Sequence, residues 1–232
     1  PMPTKKKVQP TGPPSSSFPP VPKRCAVTGG MGFVGRRLVE MLVERGAERV
    51  VAFDIAPKPS DAADDDRIVW FQGDLTKQSD VDAALEGAEC VWHIAALVGP
   101  YHALEMYDKV NFQGTVNVIE ACKKHGIGKI VMSSSPSTRF DGKDINGSKE
   151  SELRYPKKFL QAYAESKAKG EEACMRACDN EKLFTVAVAP HQVYGPRDDL
   201  FMPNMLEAAG TGRLRVFSRK STGNGYNRVC YT

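Results

Sequence analysis

"CAVTGGMGFVGRRL", residues 25–38, sets an apolar run against a glycine cluster and the start of an apolar helix pattern. Glycine carries a conformational-entropy cost, so Gly29, Gly30, Gly32 and Gly35 within seven residues call for a reason beyond the bend itself. Strand, glycine turn and helix in that order make a dinucleotide-binding unit. One glycine permits the tight turn, one admits a pyrophosphate to the backbone, and one lets helix and strand pack closely. Gly29, Gly32, Phe33, Val34 and Gly35 are the positions whose backbone would meet the anion at the helix start.

Nineteen residues after Gly35, Asp54 closes the apolar run Val50–Phe53. A carboxylate there can accept both ribose hydroxyls and would repel a 2′-phosphate, which favours NAD over NADP. Arg36 and Arg37 adjoin the turn and act in the opposite sense.

Outward from this unit the elements alternate. The first helix runs to near Gly46. Strands are predicted at Ile68–Phe71, Cys90–Ala95, Lys129–Ser133 and Phe184–Ala189. Helices are predicted over 80–86, capped by Ser79 or Asp80 and closed by Gly87, over 104–124 and over 159–178. Short apolar strands separated by helices predict a parallel sheet covered on both faces, an α/β doubly wound fold.

The formal charge of +4 is a property of one end. Residues 1–24 hold five of the 32 Lys/Arg and no acid, which leaves 27 basic residues against 28 acidic ones. A basic tail in place of a basic groove argues against nucleic acid as a partner. Eight of the sixteen prolines and Ser15-Ser16-Ser17 share that tail, so 1–22 is predicted to be disordered. No stretch has the form of a signal peptide or the length of a membrane span. Six cysteines without a Cys-x-x-Cys spacing suit a reduced, intracellular chain. Cys174 and Cys178 share a helical face, read as packing, and no metal site is expected.

The spacing Thr28-Gly29-Gly30-x-Gly32-Phe33-x-Gly35 resembles the turn of the extended short-chain dehydrogenase/reductase family, whose sheet is of the Rossmann type. Other segments share the resemblance. Gly73-Asp74-Leu75 is similar to the family's adenine-side segment, and His93-Ile94-Ala95-Ala96 to its cofactor-lining one. Asn111 resembles an asparagine near the nicotinamide, and Val193-Tyr194-Gly195-Pro196-Arg197 resembles the Tyr-Gly-Pro turn. The resemblance implies that Asp74, Leu75, Ala95, Ala96, Asn111, Pro190 and His191 join the cofactor site.

"AYAESKAKGEE" carries Tyr163 and Lys167 at i, i+4, on one helix face. A phenol titrates near pH 10 in water, and a fixed ammonium together with an oxidised nicotinamide would lower that value. Lys167 can also hold the nicotinamide ribose. The strand end Ser133-Ser134-Ser135 offers hydroxyls for a substrate oxygen. The resemblance points to Ser135 as the catalytic one, with Ser134 in reserve.

"SSSPSTRFDG" and "PHQVYGPRDDLFMPNMLEAAGTGRLRVF" most resemble the 3β-hydroxysteroid dehydrogenase group, sterol-4α-carboxylate 3-dehydrogenases in particular. This implies NAD-dependent oxidation of a sterol 3β-hydroxyl, and a 4α-carboxylate would then leave a β-keto acid able to lose carbon dioxide. Arg139 and Arg197 are candidates to hold that carboxylate. Ala189-Pro190 replaces the usual Arg-Pro; His191 reads equally well as a buried structural histidine or a functional one, and His93 reads as structural. Residues 23–196 are expected to form the cofactor domain and 197–232 the start of a substrate region that is incomplete. Segment 219–227 reads as an extra loop, and "NRVCYT" as the start of a strand. With the apolar pocket open, cofactor binding is expected to outlast sterol turnover. A homodimer through the helices over 104–124 and 159–178 is implied, and membrane association only through parts outside these residues. Two rival readings remain: a nucleotide-sugar epimerase or dehydratase, with Asn204 at a substrate-contacting position, and a non-catalytic NAD binder.

Overall fold

A computed structural model describes residues 19–213, apart from 100, 101, 144 and 146. Most of the proline-rich tail, the 219–227 loop, "NRVCYT" and Cys230 lie outside the described residues. Val21 packs against the core and Pro22 accepts a hydrogen bond from Cys25 Sγ. The chain divides into two compact units, one through His191 and one from Gln192.

The first unit holds six strands: β1 (Arg24–Thr28), β2 (Arg49–Asp54), β3 (Ile68–Gln72), β4 (Cys90–His93), β5 (Lys129–Ser133) and β6 (Phe184–Val188). They form one sheet in the order β3-β2-β1-β4-β5-β6, every pair parallel. The order reverses between β1 and β4. In doubly wound sheets the crevice beyond the carboxyl ends of such a pair is where ligands bind.

Strand alternation sends β1 side chains to two cores. Cys25 and Val27 pack with Val39, Leu42 and Val43 of α1 (Phe33–Glu44). Ala26 faces the opposite core with Val91, Ile130, Met132 and Leu85. Leu85 belongs to α2 (Gln78–Leu85), and Val118 and Cys122 of α4 (Gly114–His125) join it there. Each fully buried Leu or Ile of this kind stabilises the fold by roughly 1.5–3 kcal/mol. Burial also pushes the Cys25 and Cys90 thiols up to about 12, so both pack as neutral side chains. Cys174 is buried in α5 (Ala162–Arg176), whereas Cys178 lies beyond that helix's end.

Several boundaries differ from expectation. Helix α2 starts at Gln78 after Lys77, with no side-chain cap. Asp80 instead accepts from the Asp74 amide at 3.0 Å, and Ser79 Oγ donates to Asp80. β4 ends at His93 because the amides of Ile94 and Ala95 turn to the Thr28 carbonyl at 3.1 and 3.0 Å. The helix expected over 104–124 is three pieces: α3 (Leu104–Tyr107), a π-helical stretch (Asp108–Gln113) and α4. Helix α5 begins at Ala162, not at 159.

In the second unit, Asp198 starts α6 (Phe201–Gly210) by accepting from the amides of Leu200, Phe201 and Met202. Asn204 is an exposed residue of α6 whose amide donates to Leu200 O. The unit boundary falls ahead of Arg197. Among the described residues no helix is long and apolar enough to cross a membrane.

Candidate active site

At Gly29, Gly30 and Gly35 the turn leaves no room for a Cβ. Gly29 has φ +70°, and a Cβ there would sit 2.8 Å from the Ala95 amide nitrogen. A Cβ on Gly35 would overlap the Gly29 carbonyl oxygen. Gly32, Phe33 and Val34 follow at the mouth, with Gly32 and Val34 exposed. No side chain caps α1 and its first turn carries no acid, so its positive end is available to an anion. Asp54 stands at the end of β2. Its two oxygens accept from the amides of Met31 and Ala56, each at 3.1 Å, which fixes the carboxylate beside the turn. The residues therefore fit a dinucleotide.

The neighbouring cations are turned to other acids. Arg36 is buried and donates to Asp61 Oδ1 at 2.8 Å, and Arg37 Nη1 pairs with Glu44 at 2.9 Å. Asp74, at the end of the β3 turn, accepts from Thr76, whose hydrogen bonds hold its carboxyl below the usual range. Leu75 is buried in the core beside Gly114. Ala96 follows Ala95 on the same half-buried segment.

A hydrogen-bonded chain runs beneath this crevice. Thr115 donates to Asn111 O at 2.7 Å, so its oxygen receives His93 Nε2–H at 2.9 Å. His93 Nδ1 then accepts from Thr28 at 2.7 Å, a tautomer assigned from the network. Burial lowers the His93 pKa to about 3, with the Lys167 charge adding to the effect. His93 is therefore a neutral structural histidine. The Asn111 side chain is committed to Leu97 N, Leu97 O and Ser166 Oγ; it fixes the loop after β4 to the π-helical stretch and α5.

The chemistry-bearing residues meet at the end of β5. Ser135 Oγ shares a hydrogen bond with Ser137 Oγ at 2.9 Å and acts to lower the Tyr163 pKa, while Ser134 is buried and donates to Glu171. Lys167 is buried and donates to the Ser133 carbonyl at 2.6 Å. The Tyr107 ring stands edge-on to Tyr163 at 6.1 Å, its hydroxyl donating to Gly99 O. Burial raises the Tyr163 pKa, and Ser135 acts in the opposite direction. Lys167, itself lowered by burial to about 8, gives its proton to a carbonyl and not to the phenol.

Two expectations change. Arg139 binds Glu171 at 2.5 Å and stacks 3.8 Å above the Tyr155 ring, so it is not available to a substrate carboxylate. His191, adjacent to the exposed Pro190, is exposed and not a buried structural histidine. It lines a cleft of about 1260 Å³ together with Ser135, Phe140, Tyr155, Met175 and Val186. Sequence reasoning passes over Glu171, although Tyr163, Lys167 and Glu171 recur every four residues along one face.

The sequence profile of the 3-beta hydroxysteroid dehydrogenase/isomerase family matches residues 26–229. The chain belongs to this family. It is 40% identical over 214 residues to a Bos taurus relative named sterol-4-alpha-carboxylate 3-dehydrogenase, decarboxylating, covering 92% of this chain and 57% of that one. Among solved structures it is similar to MoeE5 in complex with UDP-glucuronic acid and NAD: 29% identity, TM-score 0.68, 80% of this chain and 60% of that one. The Thermus thermophilus UDP-glucose 4-epimerase complex with NAD is also similar, at 28% identity, TM-score 0.68, and 87% and 67% coverage. This member of the 3-beta hydroxysteroid dehydrogenase/isomerase family spans about half the length of the curated relatives it matches.

Proposed function

We propose that the chain binds NAD at the glycine turn and takes part in oxidising a sterol-like 3β-hydroxyl, with Ser135, Tyr163 and Lys167 as catalytic residues. The observation that carries this reading is Lys167, one helical turn along α5 from Tyr163 and held at 2.6 Å on the Ser133 carbonyl, two residues before Ser135. When bound, NAD supplies the acceptor for the hydrogen on carbon 3.

Ser135 donates to the substrate oxygen and holds it against Tyr163. Tyr163 takes the hydroxyl proton, which requires its phenolate. Burial alone disfavours that anion, so the reaction depends on positive charge nearby, and Lys167 is the fixed source. Oxidation should therefore gain with rising pH toward the Tyr163 pKa, and lose support above about 8 as Lys167 becomes neutral. The cleft beside Ser135 has Phe140, Ile145, Met175 and Val186 on its walls, with Arg139, Glu171 and Arg176 among them, and offers apolar surface with charged groups beside it. Loss of carbon dioxide from a β-keto acid needs no further group, so a 4α-carboxysterol is compatible with the site even with Arg139 engaged.

The family match and the sterol-named relatives favour this reading. The solved structures holding nucleotide sugars support a second one, a nucleotide-sugar epimerase or dehydratase. Following net NAD reduction with 3β-hydroxysterols, and conversion of UDP-sugars by product analysis, separates the two, because an epimerase or dehydratase returns the hydride to its sugar. The proposal expects reduction with a sterol; conversion of a UDP-sugar with no sterol oxidation would overturn it.

A further inference from the structure

Tyr163, Lys167 and Glu171 form a stripe on α5, and two of its members meet the end of β5: the Ser133 carbonyl accepts from Lys167, and the Ser134 hydroxyl donates to Glu171. Ser135 is the next residue in the chain. The Lys167 contact belongs to the proposed catalytic group. Glu171 is a buried carboxylate on which groups from several segments converge. Arg139 Nη2 donates to it at 2.5 Å and Tyr155 Oη at 3.1 Å. The Thr138 hydroxyl donates to Ser135 O at 2.8 Å and lies 3.4 Å from the same carboxylate. Arg139 also donates to that hydroxyl at 2.9 Å.

A buried charge in an isolated ion pair is a weak source of stability, because desolvation offsets the attraction. Here the carboxylate ties Ser134 on one side of Ser135, and Thr138 and Arg139 on the other, to the helix that carries Tyr163 and Lys167. Ser135 is held in the middle of that clamp. We propose that Glu171 is a positioning residue that fixes the segment carrying Ser135 against the helix that carries Tyr163 and Lys167. The inference rests on the proposed roles of those three residues.

The electrostatic surroundings agree. Glu171 raises the Lys167 pKa against the lowering by burial, and Cys174 on the same helix acts in the same direction. From β4, His93 faces Lys167 and remains neutral. Arg139 and Tyr155 face Glu171 from the segments packed on its other side. Removing the Glu171 charge should lower the Lys167 midpoint by about one unit, the smaller end of the range for a neighbouring opposite charge.

The test uses the 232-residue chain labelled with carbon-13 at lysine Cε and tyrosine Cζ. Lys167 and Tyr163 signals are assigned by Lys167→Arg and Tyr163→Phe and followed over pH by NMR. In Glu171→Gln the Lys167 midpoint should fall by about one unit, and the Tyr163 signal should shift as the segment carrying Ser135 loosens. NAD reduction should slow at least tenfold in kcat, with KM for NAD unchanged. Glu171→Asp, which keeps the charge, should restore the Lys167 midpoint. Ser134→Ala, which removes one arm of the clamp, should lower kcat severalfold while leaving that midpoint in place. Unchanged Lys167 and Tyr163 signals in Glu171→Gln would overturn the inference. If that variant does not fold, wild-type kcat and an unshifted Tyr163 signal in Ser134→Ala would do so. A wild-type chain that reduces no NAD with any alcohol would refute the proposed reaction instead, and the two NMR signals would still decide the role of Glu171.

Discussion

The two sides of the crevice are built differently. On the β1 side the proposed cofactor cradle is backbone: a left-handed Gly29, a Gly35 with no room for a Cβ, and one carboxylate fixed by two amides. On the β5 side the proposed catalytic group is held by side chains, with Ser133–Ser135 set against Tyr163, Lys167 and Glu171. A backbone cradle is sensitive to added volume and indifferent to most charge changes. A side-chain network is sensitive to the loss of one hydroxyl or one charge, while the fold around it persists.

The largest effect should come from the side-chain half. Tyr163→Phe is expected to slow NAD reduction about a thousandfold, within the range for a lost general base. NAD affinity, measured by calorimetry, should remain near wild type. Loss of NAD binding in this variant would break the division between the two halves.

Next is the cradle itself. Gly35→Ala places a methyl against the Gly29 carbonyl, where backbone must move. It should cost about 3 kcal/mol in a denaturant melt, the upper part of the overpacking range, and weaken NAD together with stability.

The His93 chain joins the halves from below, and its titration tests that junction. The folded pKa of about 3 lies below the unfolded value near 6.5. Its contribution is therefore complete above pH 6.5 and is lost as pH falls toward 3, because the unfolded chain takes up a proton that the folded one refuses. By pH 5 the loss should reach about 2 kcal/mol. His93→Gln should flatten the slope between pH 6.5 and 4; an unaltered slope would remove His93 from the junction.

The smallest effect concerns selectivity. Asp54→Asn should weaken NAD by about tenfold and narrow its advantage over NADP. Equal affinity for NAD before and after the change would show that the carboxylate only holds the turn.

What could be read in the sequence divides along the same line. Apolar strands, the glycine spacing, Asp54, and Tyr163 with Lys167 are local patterns, so order along the chain suffices to find them. The clamp is non-local. Glu171 meets residues 134, 138, 139 and 155, and no spacing rule joins these positions. Arg139 looked available to a substrate for the same reason. The π-helical stretch Asp108–Gln113 follows from tertiary contacts such as Asn111 with Leu97 and Ser166, which override an uninterrupted helix pattern. The burial that raises the Tyr163 pKa is likewise non-local and has no signature along the chain.

One measurement bears on the central claim most directly. A 3β-hydroxysterol deuterated at carbon 3 is incubated with the chain and NAD, and the reduced cofactor is weighed by mass spectrometry. The account predicts that the deuterium appears in the reduced cofactor, and that Tyr163→Phe abolishes its appearance. Reduced cofactor free of deuterium, or transfer that persists at full rate without the Tyr163 hydroxyl, would contradict it.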